Sequence, residues 1–344
     1  MRVDCLSSLP IQGLFSNRIL IFLWILIRFA TVKVHFGKFS PNRPQNPVVT
    51  TGTFDGVHLG HQLIIDRLIR SAKENHCESV VVTFDPHPRS VLFPNDSSLK
   101  LLQSVEEKAE RLAARGVDHL LVIPFDRAFA EMSADDYVRK IIVDLIGASK
   151  LVIGYDHQFG KNREGSFSKL QQMGMIYGFE VEEIPARIID QVTISSSRIR
   201  KALTAGELET ANAYLGYPYT LHGKVIPGDA LGRTIGFPTA NLEISLPLKL
   251  IPASGVYAVK VSVNDSVFQA MMNIGYRPTV NDERVLKLEV HVLGFSGDLY
   301  GQQLGVSCFK RLRDEQKFDD IAALKNQLLL DKKQVEDLFL RHVG

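Results

Sequence analysis

Two patterns of apolar spacing divide the chain. From Val48 to about Gly216, short apolar runs alternate with stretches whose apolar residues recur at helical spacing, the signature of a parallel sheet covered on both faces. The runs at 48–49, 80–84, 120–123, 151–153 and 181–184 read as strands, and 32–36 makes a natural beginning. Ile64, Ile65, Leu68, Ile69 and Ala72 predict a helix after the first of them. Ser104 before Val105-Glu106-Glu107, and Ser133 with Asp136 three residues on, mark two further helix starts. After Gly216 the helical patterns give way to glycine, proline and short alternating runs at 219–225, 255–261, 268–273 and 286–292, which predict a small antiparallel domain closed into a barrel. Phe318, Ile321, Leu324 and Leu328, then Val335, Leu338 and Phe339, predict two C-terminal helices, the second capped by Asp331 with Gln334. The expected fold is α/β, a Rossmann-like parallel sheet at 32–216 followed by a barrel domain at 217–344.

Length and charge agree with that division. A chain of 344 residues can build two cores. A net charge of +2 with 23% charged residues demands neither nucleic acid nor a membrane as partner. Cys5, Cys77 and Cys308 are scattered without metal-ligand spacing and fit a reducing, cytoplasmic setting. The apolar run at 19–27, between Arg18 and Arg28, is about half the length of a membrane span. It lacks a small-x-small cleavage site, so residues 1–31 are expected to be an appended segment outside the fold, with no stable membrane association.

Chemistry concentrates where the first strand turns into its helix: Thr51-Gly52-Thr53-Phe54-Asp55-Gly56-Val57-His58-Leu59-Gly60-His61. Backbone N–H groups at a helix entrance favour a phosphate, His58 and His61 can be aimed at one anion, and Gly60 lets a phosphate approach the backbone. Such an arrangement suits attack on phosphorus, where positioned donors supply most of the catalysis. Taken alone, the two histidines are equally well residues that follow a turn. Loops at 85–88 and 154–160 also follow strands and should converge on the same rim.

A second dense region spans 228–241, with Gly228, Gly232, Arg233, Gly236, Phe237 and Pro238 leading to Thr239 and Asn241. Glycines and an arginine allow backbone amides near phosphates, and Thr239 and Asn241, two apart, offer hard oxygens suited to Mg²⁺. A glycine-rich hairpin whose Thr and Asn serve only the backbone accounts for that loop equally well. In 287–292 a period of two puts Lys287, Glu289 and His291 on one face; Glu289 could take a proton from a hydroxyl, or be solvated on an exposed strand.

Five motifs in order resemble one family, the bifunctional bacterial riboflavin kinase/FMN adenylyltransferases or FAD synthetases. They are 52–61, Thr83-Phe84-Asp85-Pro86-His87-Pro88, Ser195-Ser196-Ser197-Arg198-Ile199-Arg200, Gly236-Phe237-Pro238-Thr239-Ala240-Asn241 and Asn273-Ile274-Gly275-Tyr276-Arg277-Pro278-Thr279. The resemblance covers residue 32 onward. It implies that the barrel phosphorylates riboflavin to FMN with Mg-ATP, Glu289 acting as base and Thr239 and Asn241 lying around the metal. It further implies that the N-terminal domain transfers AMP from a second ATP to FMN, giving FAD and pyrophosphate. His58 and His61 would stabilise the α-phosphate, with Phe54, Asp55, Gly56, Gly60 and Asp156 near the nucleotide and Ser196, Ser197, Arg198 and Arg200 near the departing phosphates. Gly228, Gly232, Arg233, Gly236, Phe237, Pro238 and Arg313 would surround nucleotide and flavin in the barrel. Two departures are His157, where the family usually has an aromatic, and Ser197, where it often has threonine. Retention of adenylyl transfer alone beside a flavin-binding barrel, or a flavin- or RNA-binding regulator, are the competing readings; the chain has no basic stripe interleaved with aromatics to favour RNA.

Overall fold

The computed structural model describes residues 32–155, 157–185, 194–228, 231–264, 266–278 and 284–340. Asp156 and residues 1–31, with the apolar run at 19–27, lie outside the described residues. Strands β1 (Lys33–Phe36), β2 (Val48–Thr51), β3 (Ser79–Asp85), β4 (His119–Pro124), β5 (Lys150–Gly154) and β6 (Glu180–Ile184) form one parallel sheet in the order β1-β4-β3-β2-β5-β6. Alternation explains its two covered faces. Val48, Val81, Leu120 and Val152 pack with Ile65 and Leu68 of helix α1 (Leu59–Glu74) and Leu112 of α2 (Val105–Arg115). Val49, Val80, Val82 and Leu121 face the other way, onto a π-helical segment (Val138–Ile146) and α3 (Phe167–Tyr177). From β2 the chain moves through β3 to β4 on one side and later fills β5 and β6 on the other. The crevice beyond the carboxyl end of β2 is therefore the topological switch point, where such sheets bind ligands.

Two helices, α4 (Ser196–Ala205) and α5 (Leu208–Leu215), lead to the barrel of β7 (Tyr219–Ile226), β8 (Ala240–Ile244), β9 (Gly255–Val263), β10 (Ser266–Pro278), β11 (Arg284–Val292) and β12 (Gln303–Arg313). The barrel closes in the order β10-β11-β8-β7-β12-β9. Leu288, Val290 and Val292 point into its core with Tyr257, Val259 and Val261. Glu289 and His291 therefore lie on its outer face, as period two requires.

One C-terminal helix, α6 (Ile321–Leu340), replaces the expected pair. Asp331 is not a cap: fully buried, it receives Arg313 from β12 and Gln327 one turn before it. With its carboxylate so engaged, no break is needed there, and Val335 and Phe339 carry the same face onto the barrel with Met271.

Barrel and sheet share a polar seam. Leu101 exchanges backbone hydrogen bonds with the 248–250 segment. The buried Lys249 ammonium lies 2.5 Å from Glu107 of α2 and donates to the Leu102 carbonyl, while His222 of β7 meets the other Glu107 oxygen at 2.9 Å. Burial pushes the Glu107 carboxyl up, but His222 and Lys249 outweigh it and hold it below its ordinary value.

Candidate active sites

At the switch point, the loop from Thr53 to Val57 runs through left-handed backbone at Phe54 (φ 45°), Gly56 (φ 88°) and Val57 (φ 35°). Bulky residues adopt that region only where the surroundings over-determine it. Here they do. Asp55, 3% exposed, accepts from the N–H groups of Leu102 and Gln103 and pairs with Arg200 of α4 at 2.5 Å. Ser196 Oγ donates to the Asp55 carbonyl. A Cβ at Gly56 would lie 2.7 Å from Leu102, so that position needs glycine for space as well as for φ.

His58 is the N-cap of α1, its Nδ1 accepting from the His61 N–H at 3.4 Å. The two imidazoles stack with centroids 3.7 Å apart, and His61 sits edge-on to Phe54. Gly60 is what permits this, since a Cβ there would stand 3.3 Å from the His58 ring. Burial, followed by the Arg200 charge, holds the His58 imidazole down to about 4. Burial, then His58 and Lys108, keep His61 well below its ordinary value. Both rings are thus neutral near pH 7.

Lys108 of α2, which the sequence did not single out, is wholly buried behind this loop. Its Nζ donates to the Thr53 carbonyl at 2.7 Å and to Thr83 Oγ1 at 2.8 Å. Burial depresses it to about 8, partly offset by Asp55 and Asp85. Of the other expected residues, Ser197 and Arg198 are exposed on the first turn of α4, whose cap Ser195 accepts from the Arg198 N–H. His87, after β3, lies within the fields of Asp55, Arg200 and Lys108, so the β2 and β3 loops do converge. After β5, the His157 ring stacks on Phe159, which lies against Tyr137, whose hydroxyl is 2.8 Å from Thr51 Oγ1.

The barrel carries a second site on its outer face. Strand register puts Asn241 of β8, Glu289 of β11 and Asn273 of β10 side by side. All three line a cavity of about 300 Å³ roofed by Phe318, Leu324 and Leu328 and flanked by Phe237 and Arg313. Glu289 is half-buried and faces this cavity, which Leu324 and Leu328 of the C-terminal helix also line. The adjoining, smaller cavity is lined by Arg233, Pro238, Phe295, Asp298 and Tyr300, and Thr239 borders both. Close packing accounts for the glycines: a Cβ at Gly228 would be 1.8 Å from Asn241 and one at Gly232 2.1 Å from the Phe237 carbonyl, while Gly236 takes φ 86°. His291 Nδ1 meets the Pro238 carbonyl at 2.7 Å and its ring tilts against Phe237, fixing the segment before Thr239. Period two had marked His291 as facing outward; Asn273 lay within a motif but with no chemistry attached.

Comparison with known proteins identifies both domains. An FAD synthetase family model matches residues 40–198 and a riboflavin kinase family model residues 215–339. A protein of Listeria monocytogenes called bifunctional riboflavin kinase/FMN adenylyltransferase is 40% identical over 296 residues, 86% of this chain and 93% of its own length. The chain belongs to that bifunctional family. The Escherichia coli K12 protein of the same name is 39% identical over 293 residues, covering 85% of this chain and 92% of its own. The crystal structure of a Streptococcus pneumoniae protein described as a macrolide-efflux protein superimposes with a TM-score of 0.80 at 31% identity, covering 89% of this chain and 99% of that one. The chain therefore carries its FAD synthetase domain ahead of its riboflavin kinase domain, and both activities use ATP. Among the described residues no helix is long and apolar enough to cross a membrane.

Proposed function

We propose that riboflavin enters the 300 Å³ barrel cavity and ATP the adjoining one, so that the γ-phosphoryl group crosses at Thr239. The row Asn241, Glu289, Asn273 carries this reading, because it sets a carboxylate between two amides on the wall of the larger cavity, with Thr239, which borders both cavities, two residues before Asn241. Glu289 takes the proton of the attacking flavin hydroxyl, a role worth about 10²- to 10⁴-fold in rate. Arg313, fixed by Asp331, and Phe237 hold the flavin, while Gly228, Gly232, Arg233, Gly236 and Pro238 shape the phosphate side. Thr239 and the buried Asn241 offer a hydroxyl and an amide oxygen, which fit Mg²⁺ held mainly by phosphates. When bound, that ion neutralises phosphate charge.

In the sheet domain, spanning 32–216 in this proposal, FMN takes AMP from ATP. His58 and His61, neutral, donate to the α-phosphate as charge builds on its oxygens. The first turn of α4, with Ser197, Arg198 and Arg200, receives pyrophosphate, and Asp55 aims Arg200. The barrel domain spans 217–344. The setting is cytoplasmic, and no nucleic acid or stable membrane contact is required.

The test is Glu289→Gln in the full chain, assayed for FMN from riboflavin and for FAD from supplied FMN. FMN formation should fall at least 100-fold with adenylyl transfer kept. Unchanged FMN formation would remove Glu289 from the mechanism.

A further inference from the structure

The five carbonyls of the 53–57 loop are each tied from behind. Lys108 Nζ holds that of Thr53, the Val57 N–H that of Phe54, Ser196 Oγ that of Asp55, and Gln62 Nε2 that of Val57. The Gly56 carbonyl is held by the hydroxyl of Tyr217. Tyr217 stands two residues before β7, at the root of the barrel, and so belongs to the half of the molecule that carries the other reaction.

Its surroundings give the phenol a single hydrogen-bonding role. Gln103 Nε2 donates to the Tyr217 oxygen at 2.7 Å, leaving the hydroxyl proton for Gly56. The Gln103 N–H meanwhile binds Asp55, the partner of Arg200. The Arg111 guanidinium covers the ring at 4.0 Å. Gln62 spans the same junction, its Nε2 reaching both the Val57 and Leu215 carbonyls at 2.8 Å. Across a peptide the C=O and N–H point in opposite directions. Drawing the Gly56 carbonyl back therefore turns the Val57 N–H toward the Phe54 carbonyl, closing the turn whose next residue is His58.

We propose that Tyr217 is a positioning residue for adenylyl transfer: its hydroxyl sets the Gly56–Val57 peptide, and through it the place of His58, from the barrel side of the molecule. This rests on the assignment of adenylyl transfer to the His58 site. Burial raises the phenol well above its ordinary value, so it remains a donor at any working pH. Without the hydroxyl, the Gly56 carbonyl and the Gln103 amide lose their partner, and a loop with two bulky residues at positive φ loses one of its ties.

The experiment is Tyr217→Phe in the full chain, which keeps the ring beneath Arg111. Steady-state rates of FAD formation from FMN and of riboflavin phosphorylation are measured on one preparation, with amide hydrogen exchange over 53–61. The expected result is a fall in adenylyl-transfer kcat of about 10- to 100-fold at a nearly constant KM for FMN, the penalty of a misplaced catalytic group. Exchange in the loop should quicken, and riboflavin phosphorylation should stay within twofold. Equal losses in both activities would make Tyr217 a general packing residue and overturn the proposal. So would unchanged adenylyl transfer. A wild-type chain that makes no FAD from FMN would instead defeat the assignment of the site itself.

Discussion

Arg313 holds Asp331 through both carboxylate oxygens, Nε 3.0 Å from Oδ1 and Nη2 2.7 Å from Oδ2, joining the last barrel strand to the helix that roofs the barrel cavity. Asp331 is completely buried and the Arg313 side chain is 15% exposed. Each therefore depends on the other for its charge to be compensated.

Asp331→Ala should cost about 3 kcal/mol, because it removes the carboxylate that compensates the largely buried guanidinium. Chemical denaturation measures the loss. The cavity loses its roof along with the fixed Arg313, so the KM for riboflavin should rise while adenylyl transfer from FMN is retained. A variant as stable as wild type would show that water replaces the carboxylate without penalty.

His58 has two separable roles, cap and phosphate donor. Asparagine is among the best N-caps, so His58→Asn should keep the stability of α1 yet lose adenylyl transfer, while His58→Ala should lose activity and about 0.5–2 kcal/mol of stability together. Thermal melts beside an assay of FAD from FMN separate the two. Equal stability of both variants would deny the capping role.

The depressed His58 pKa has a consequence for stability. Unfolded, the imidazole binds a proton below about 6.5; folded, it resists until about 4. Between those values the unfolded chain holds more protons, so folding stability rises with pH and is lost as pH falls through that window. From pH 7 to pH 5 the cost is about 2 kcal/mol for this residue. Denaturation curves at the two values should show a larger drop for wild type than for His58→Asn. Parallel drops would mean that His58 is solvated.

Sequence pattern reached the fold because both halves follow simple periods. The four central strands of the sheet are rich in valine, leucine and isoleucine and mostly buried on both faces, and Leu288, Val290 and Val292 alternate cleanly with Lys287, Glu289 and His291. The pattern failed at β12, where Gly305, Ser307 and Lys310 break the apolar run and the register with β9 shifts at two places. It also misread Asp331, since an acidic residue three before a glutamine looks the same whether it caps a helix or receives an arginine 18 positions earlier. Candidate site residues that lie within motifs stand out in the sequence by their spacing. Lys108, Tyr217 and Lys249 were not, because their meaning comes from partners far away in the chain, which no local spacing encodes.

Leu102 turns its N–H to Asp55 on one side and its carbonyl to Lys249 on the other. A single residue, through its two adjoining peptide groups, is thus shared between the loop of one catalyst and the frame of the next. Descent is constrained by that sharing. A barrel exchanged into this chain would have to supply a partner for Glu107 and the Leu102 carbonyl where Lys249 now stands. The fusion of the two enzymes is written into their shared hydrogen bonds as firmly as into the gene.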